Sequence, residues 1–174
     1  LQVATTIMQE VVAIANRYPP YGRGTVGMVQ VFPNSRNVIP GEVKFSIDLR
    51  NVNDELLNTM HEEMLAFVAK TRQESGLGIE IERVSYYPPC PFHPDCVDAV
   101  RAATEKLGYS TMDVVSGAGH DAIYTARVAP SGMIFVPCKD GISHNEIEDA
   151  QPAHLEAGCN VLLHAMLERA KLAA

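Results

Sequence analysis

Four prolines within the seven residues 88–94 (PPCPFHP) constrain the fold of this chain more than any other feature. Proline lacks the backbone N–H that a helix interior or a central strand needs, so regular structure does not continue through such a stretch. The hydrophobic pattern also changes there, from helices mixed with alternating strands to helices mixed with a continuously apolar strand. The sequence therefore predicts two segments, 1–88 and 89–174.

The first segment predicts an α+β module. Apolar residues alternate with polar ones along 42–50 (EVKFSIDLR), which is typical of a half-buried antiparallel strand. Two helices on one face of an antiparallel sheet resemble a ferredoxin-like module that lacks its first strand. The predicted order is a helix at 2–17, strands at 25–33 and 42–50, a helix capped by Asn53 and ended by Gly76, and a strand at 79–88.

The second segment predicts an α/β arrangement, because helices alternate with an apolar strand of the kind that is buried on both faces. That strand is 131–137, followed by a polar loop. The helices are predicted at 95–107 and from Pro152 onwards. The residues expected to face inwards are Val97, Val100, Ala103 and Leu107 in the first helix, and Leu155, Cys159, Leu162, Met166 and Ala170 in the last.

Charge and composition exclude several classes of protein. The formal net charge is −7 and no Lys/Arg cluster runs along one face, which argues against a nucleic-acid partner. No apolar run approaches the ~20 residues that a membrane span needs. Four scattered cysteines favour reduced thiols in a cytoplasmic protein over a disulfide framework. The chain starts inside a predicted helix without an initiator Met, so we expect it to be a piece of a longer polypeptide.

A first polar cluster contains Asn37, in the turn-rich stretch 34–41, and Arg50, at the end of the alternating strand. A guanidinium can hold a carboxylate through two parallel hydrogen bonds, and an Asn amide can add a donor. The alternative for Arg50 is a solvated strand-end charge, or a salt bridge with Asp48 or another neighbour.

A second cluster is SGAGHDA, 116–122. Gly117 and Gly119 allow a backbone to come close to a ligand, and His120 and Asp121 could act beside it. The alternative is a plain Gly-rich turn in which His120 caps a helix.

A third cluster is the loop that follows the apolar strand, where His144 lies among acidic and amide residues. Neutral imidazole is a common zinc ligand, and α/β sheets bind ligands just beyond their strands. Ser143, Asn145 and Glu146 could orient the ring. The alternative is a loop histidine with ordinary hydrogen bonds. No His-x-x-x-His pair or strand-end carboxylate pair accompanies it, so further ligands are expected outside this chain.

Together these clusters resemble a known family. The order of GTVG, NVIPG and DLR, then SGAGHDA, then VPCKDGISHNEIED, is similar to the hydantoinase/carbamoylase branch of the zinc-dependent M20 superfamily. The resemblance covers nearly the whole chain. It implies a metal-dependent amidohydrolase that cleaves the carbamoyl C–N bond of N-carbamoyl-L-amino acids or related ureido acids such as allantoate and β-ureidopropionate, to an amino acid, ammonia and carbon dioxide.

The resemblance also implies an architecture. Residues 1–88 correspond to a ferredoxin-like lid domain that mediates homodimerisation, and 89–174 to the C-terminal part of a zinc-peptidase-like α/β catalytic domain. The intact enzyme of this kind binds two divalent metal ions, zinc or manganese. The lid closes over them and excludes water.

Site residues carry over only where the motifs match. The resemblance assigns His144 as a metal ligand, and its implied substrate-binding residues are Asn37, Arg50, Gly117, Gly119 and His120. The other metal ligands and the glutamate general base belong to an upstream segment that this sequence does not contain. We therefore expect no turnover and weak metal binding from the 174-residue chain alone.

Two other functions stay open at this point. The chain could belong to an aminoacylase or dipeptidase of the same superfamily. It could also be a dimerisation or binding module that keeps the lid and has no catalytic role.

Overall fold

A computed structural model of the chain describes residues 1–171. The chain divides into two compact units, Leu1–Pro89 (unit 1) and Cys90–Ala174 (unit 2), and the division falls inside the Pro-rich stretch. The architecture is mixed α and β with few strands. The helices are α1 Gln2–Asn16, α2 Asp54–Ser75, α3 Pro94–Lys106, α4 Ala122–Thr125 and α5 Pro152–Lys171; the strands are β1 Arg23–Thr25, β2 Val29–Phe32, β3 Glu42–Phe45 and β4 Asp48–Arg50. None of the helices within residues 1–171 is long and apolar enough to cross a bilayer.

The two helices of unit 1 form where the sequence predicts them. Asn53 caps α2, and its side-chain oxygen accepts a hydrogen bond from the Leu56 amide at 3.0 Å. Such a cap satisfies one of the amides that a helix leaves without a partner in its first turn. Gly76 ends α2 with φ of 67°, a left-handed conformation that glycine adopts without a steric penalty. The predicted cap and end of α2 are confirmed.

The predicted strands 25–33 and 42–50 are each interrupted by a bulge. β1 pairs antiparallel with β4, and β2 pairs antiparallel with β3. Between the two ladders the three residues 26–28 face the two residues 46–47, so one strand carries an extra residue. The Ser46 hydroxyl accepts a hydrogen bond from the Met28 amide at 3.1 Å, which links the strands across the interruption. The predicted alternation survives, with the half-buried side chains being Val43, Phe45, Ile47 and Leu49.

The antiparallel pairs β1–β4 and β2–β3 together form a two-stranded ribbon. The core of unit 1 lies between the two helices and this ribbon. Val11 and Ile14 of α1 and Met60 of α2 are fully buried, and Met64 is nearly so. Each such side chain contributes about 1.5–3 kcal/mol through burial. The ribbon closes this core with half-buried apolar side chains from its inner face, namely Val26, Phe45, Ile47 and Leu49.

Two glycines let the chain pass very close to α1. A Cβ atom at Gly24 of β1 would lie 2.4 Å from the carbonyl oxygen of Val11, and one at Gly22 would lie 2.4 Å from that of Ala15. Both contacts are with backbone atoms, which cannot rotate away. Any larger residue at these positions would push β1 off the helix.

The predicted strand at 79–88 is wrong, because this segment belongs to no sheet. The segment instead runs alongside α2. Arg72, near the end of the helix, donates a hydrogen bond to the Ile79 carbonyl, and the Tyr86 hydroxyl donates to Asp54 in the first turn. A strand needs a neighbour to pair with, and no strand among residues 1–171 pairs with this segment.

The core of unit 2 consists of small residues at the contact between α3 and α5. The buried residues are Ala99, Ala103, Val161 and Ala165. The predicted inward face of α5 is wrong, since Leu155, Leu162 and Met166 are 48%, 50% and 60% exposed. Large apolar residues occur on several sides of α5, so periodicity does not select one face. The close contact with α3 selects the side with the smallest side chains.

The apolar segment 131–137 was also expected to form a buried strand, and it does not. Phe135 is 48% exposed, and the segment crosses the helices at two close contacts. A Cβ at Gly132 would lie 3.1 Å from the Cβ of Cys96 on α3, and one at Gly158 of α5 would lie 2.6 Å from a methyl group of Val136. A mainly apolar open groove of about 720 Å³ lies between this segment and the two helices. Burial on two faces needs layers on both sides, and the helices cover one side only.

A polar cluster joins α1 and α2 at the edge of the unit 1 core. The Tyr18 hydroxyl donates to one Glu63 oxygen at 2.5 Å, and Arg17 donates to the other at 2.6 Å. Arg17 also reaches Glu10 at 3.0 Å. The hydrogen bond from Tyr18, followed by the bonds from Arg17, lowers the pKa of Glu63 below its ordinary value of 4.5.

We expect this cluster to make unit 1 sensitive to acid. A carboxyl group with a lowered pKa in the folded state stabilises the fold above its unfolded pKa, and this contribution is lost as the pH falls through the folded pKa. Glu63→Gln should therefore make the free energy of local unfolding of α1 and α2 less dependent on pH below about pH 5. Hydrogen exchange of the amides of α1 and α2, measured from neutral to acid pH, checks this.

The control is Glu62→Gln, a substitution at the exposed neighbouring position on α2. It should keep the pH dependence of the wild type. Equal pH dependence in wild type and Glu63→Gln would show that the cluster does not contribute.

Candidate functional site

The predicted site residues fall into both units. Asn37 and Arg50 lie in unit 1, while Gly117, Gly119, His120 and His144 lie in unit 2. All six are within the described residues.

Arg50 is the last residue of β4 and its guanidinium is held by Asp48. Its Nε donates to Asp48 Oδ1 at 2.8 Å, and its Nη2 donates to Asp48 Oδ2 at 2.7 Å. These side chains lie on the same face because they are two residues apart on a strand. The paired hydrogen bonds raise the pKa of Arg50 and lower the pKa of Asp48. The ion pair with Asp48, one of the two alternatives for Arg50, is thus present.

Asn37 lies in the loop 33–41 that joins β2 to β3, and it is exposed. Its side-chain oxygen accepts a hydrogen bond from the Ser35 hydroxyl at 2.8 Å. The loop is at one end of the ribbon and Arg50 is at the other. Glu42 and Arg50 are eight residues apart along the ribbon, which corresponds to roughly 25 Å at 3.3 Å per residue. The structure therefore does not bring Asn37 and Arg50 together within one chain.

Two glycines of the loop before α4 have room for a side chain. A Cβ atom at Gly117 or at Gly119 would meet no atom of residues 1–171 within 4 Å, and neither glycine has a positive φ. Neither backbone conformation nor packing against the described residues therefore requires glycine at these positions. The helix that follows, α4, has four residues, and its N-cap residue is Asp121 rather than His120.

His120 is oriented by two neighbours. Its Nε2 lies 2.6 Å from the Ser116 hydroxyl oxygen, and its ring meets the ring of Phe135 edge-on with centroids 5.5 Å apart. The Ser116 oxygen also accepts a hydrogen bond from the Ala118 amide at 3.2 Å. The imidazole is thus held between the glycine loop and the segment 131–137.

His144 lies on the surface of unit 2 in a strained backbone conformation, with φ of 56°. Its amide donates to Glu148 Oε2 at 2.9 Å, and its Nδ1 lies 3.3 Å from the Ser143 hydroxyl. Of the three residues expected to orient the ring, Ser143 contacts it. The Asn145 side chain accepts a hydrogen bond from the Ile147 amide instead.

A metal site with several ligands is not formed by the described residues. Within residues 1–171, no three His, Cys, Asp or Glu side chains lie close enough together to hold a metal ion. A zinc site takes at least three protein ligands. His144 would supply one ligand of such a site.

Three neighbours hold the predicted site residues, and the sequence interpretation named Asp48 as a possible partner of Arg50 but did not name Ser116 or Glu148. Asp48 and Ser116 hold the side chains of Arg50 and His120, and Glu148 holds the backbone of His144. Each is two or four residues away in sequence. For Asp48 a signal existed, since alternate residues of a strand share a face; the loop contacts of Ser116 and Glu148 follow no fixed period.

Comparisons with known proteins agree on one family. The model of "Peptidase family M20/M25/M40" matches residues 5–168. The chain is 45% identical, over 166 residues, to an N-carbamoyl-L-amino-acid amidohydrolase of Rhizobium meliloti, covering 95% of this chain and 40% of that protein. It is 33% identical to an allantoate amidohydrolase of Bacillus subtilis, covering 93% of this chain and 39% of that protein.

The fold is similar to that of solved structures as well. A crystal structure of an amidase of the hydantoinase/carbamoylase family from Burkholderia multivorans matches with a TM-score of 0.91 and 52% identity, covering 97% of this chain and 41% of that one. The chain spans about 40% of the length of the curated relatives that it matches.

We expect the 174-residue chain to bind zinc weakly, because a single exposed imidazole forms one bond where a stable site needs several. Isothermal titration with Zn²⁺ at neutral pH should give no stoichiometric transition. His144→Ala should leave the titration curve unchanged. A tight one-to-one transition that His144→Ala abolishes would contradict this expectation.

Proposed function

Because the chain belongs to the peptidase family M20/M25/M40, we propose that it is part of a longer metal-dependent amidohydrolase that cleaves the carbamoyl C–N bond of N-carbamoyl-L-amino acids or related ureido acids. The observation that carries the proposal is the 45% identity, over 95% of the chain, to an N-carbamoyl-L-amino-acid amidohydrolase. Relatives named for allantoate and ureidoglycolate hydrolysis also support a ureido acid over a peptide.

In this proposal Arg50 binds the carboxylate of the substrate. A guanidinium is planar, always charged and able to make two parallel hydrogen bonds to a carboxylate, so it fixes both position and orientation. Arg50 is half exposed at the end of β4, where a small acid can reach it. Asn37 adds an amide that can donate to the ureido group or the carboxylate.

Gly117, Gly119 and His120 form the substrate-contacting loop of unit 2 in this proposal. The room for a Cβ atom at both glycines supports the role, since packing against the described residues does not require glycine there. His120 is held by Ser116 at 2.6 Å, so its imidazole can donate to or accept from a polar substrate group without first being ordered.

The family implies a pair of divalent metal ions, and we assign His144 as one ligand. The described residues do not fit a complete centre, because no group of three or more His, Cys, Asp or Glu side chains within residues 1–171 could hold a metal ion. The remaining ligands and a glutamate general base would come from a part of the longer protein outside this sequence. The native metal, zinc or manganese, is part of the same proposal.

The two units have different proposed roles. Residues 1–88 act as a ferredoxin-like lid and dimerisation domain, and 89–174 as the C-terminal part of the catalytic domain. The separation of Asn37 and Arg50 along the ribbon, roughly 25 Å, supports a homodimer. A small ureido acid is too short to contact both residues of one chain, whereas two copies can supply one residue each.

The proposal predicts substrate preference in the full-length protein. N-carbamoyl-L-amino acids or allantoate should be hydrolysed faster than N-acetyl amino acids and dipeptides, with ammonia released. Arg50→Lys should raise KM about tenfold or more, since a point charge replaces a bidentate group, with a smaller change in kcat. Initial rates of amino acid and ammonia release measure both.

Arg36→Lys is the matched control, since Arg36 is an exposed arginine of the β2–β3 loop. It should keep the wild-type KM. Preference for acyl or peptide substrates would favour an aminoacylase or dipeptidase, and no hydrolysis by the full-length protein would favour a binding module. An unchanged KM in Arg50→Lys would remove the assigned role of that residue.

A shared site predicts recovery of activity when two inactive variants are combined. Asn37→Ala and Arg50→Lys should each be impaired alone. If each site takes Asn37 from one copy and Arg50 from the other, a mixed dimer has one intact site of two, so the isolated mixed dimer should have about half of wild-type activity.

Co-expression of the two variants, each with a different affinity tag, followed by sequential purification isolates the mixed dimer for assay. Activity no greater than the mean of the separate variants would contradict a shared site.

A further inference from the structure

We infer that Asp48 is a positioning residue that holds the Arg50 guanidinium ready for the substrate carboxylate. The inference rests on the proposed function of Arg50. It adds a residue of this chain to the substrate-binding machinery and gives it a defined task. The task is to fix the plane of the guanidinium before substrate arrives.

The contact between the two residues has the geometry for this task. Both Asp48 oxygens are used, one by Nε at 2.8 Å and one by Nη2 at 2.7 Å. A single hydrogen bond would let the guanidinium swing about its long side chain. Two parallel bonds fix its plane, because both partners are planar.

The neighbouring strand makes such a restraint necessary. Arg23 of β1 is the direct cross-strand partner of Arg50, and Thr25 is that of Asp48. Like charges directly opposite each other are unfavourable. Arg23 donates to the carbonyls of Pro20 at 2.7 Å and Gly22 at 2.9 Å, which directs its charge towards the turn. Asp48 supplies the negative charge that holds Arg50 in place beside it.

The guanidinium of Arg50 has more donors than Asp48 uses. Asp48 accepts from Nε and Nη2, and a guanidinium carries five N–H donors, so one carboxylate does not use them all. A guanidinium that is already fixed loses less conformational entropy when it binds. The hydrogen bonds from Arg50 lower the pKa of Asp48 below its ordinary value, because they favour the ionised carboxylate.

A second acid–base pair on the ribbon provides a comparison. Glu42 and Lys44 on β3 are also two residues apart and form an ion pair at 2.9 Å. Lysine is a point charge with no plane to fix, so this pair has no orienting function. If ion pairs on this ribbon acted only on stability, removing either acid would have the same effect.

The test is steady-state kinetics of the full-length protein with an N-carbamoyl-L-amino acid and with its carboxamide, which lacks the carboxylate. Asp48→Asn should raise KM for the acid about tenfold, with kcat within about twofold. The carboxamide should be a poor substrate of the wild type and should not become poorer in Asp48→Asn. Asp48→Glu, which keeps the charge and both oxygens, should recover most of the lost affinity. The control Glu42→Gln should behave as the wild type.

Each other result overturns the inference at a defined point. An unchanged KM in Asp48→Asn, with a raised KM in Arg50→Lys, removes Asp48 and leaves the proposed function intact. Equal losses for the acid and the carboxamide show a structural effect only. No hydrolysis of any ureido acid by the wild type removes the proposed function and the inference with it. If Asp48→Asn fails to fold by thermal melting, the charge-conserving Asp48→Glu decides, since a KM unlike that of the wild type in a folded Asp48→Glu protein contradicts the inference.

Discussion

The contact between β1 and the backbone of α1 is the constraint on which unit 1 depends. At Gly24 a side chain would lie 2.4 Å from the Val11 carbonyl oxygen, so the strand can reach the helix only because there is no side chain. That contact fixes β1, and the register of Gly24 opposite Leu49 then fixes β4. Leu49 closes the core, and Arg50 next to it points to the opposite face of the ribbon. The absence of a side chain at Gly24 thus determines where Arg50, the proposed carboxylate-binding residue, lies.

Unit 2 is organised differently, and its site residues depend on the segment 131–137. This segment passes α3 at Gly132 and α5 at Gly158, and its Phe135 ring supports His120. The loop with His144 follows it directly. Much apolar surface around it stays exposed, including Phe135, Leu162 and Met166. The chain spans about 40% of the length of its curated relatives.

Helices and alternation were predictable because their signals are local. Asn53 and Gly76 define the ends of α2 through contacts within one turn, and the pattern of 42–50 needs only a period of two. The strands expected at 79–88 and 131–137 were wrong because a strand exists only beside a partner, which lies elsewhere in the chain or outside it. The predicted inward face of α5 was wrong because the leucines of this helix lie on several of its sides. Among site residues, the location of Arg50 at a strand end was predictable, whereas its separation from Asn37 depends on how the ribbon runs.

The sequence by itself determined the division at the prolines, the two helices of unit 1, the cap and end of α2, and the motifs that indicate the family. The division and the helices follow from backbone chemistry and short-range periods, which act over a few residues. Only the tertiary structure decided that a bulge interrupts the ribbon. It also decided that Arg50 makes two hydrogen bonds to Asp48 while it lies opposite Arg23 on the neighbouring strand. It also decided that α3 and α5 meet through the small side chains of Ala99, Ala103, Val161 and Ala165. Those outcomes depend on which distant atoms come within a few ångströms of each other, and steric exclusion at that range cannot be read from the order of residues.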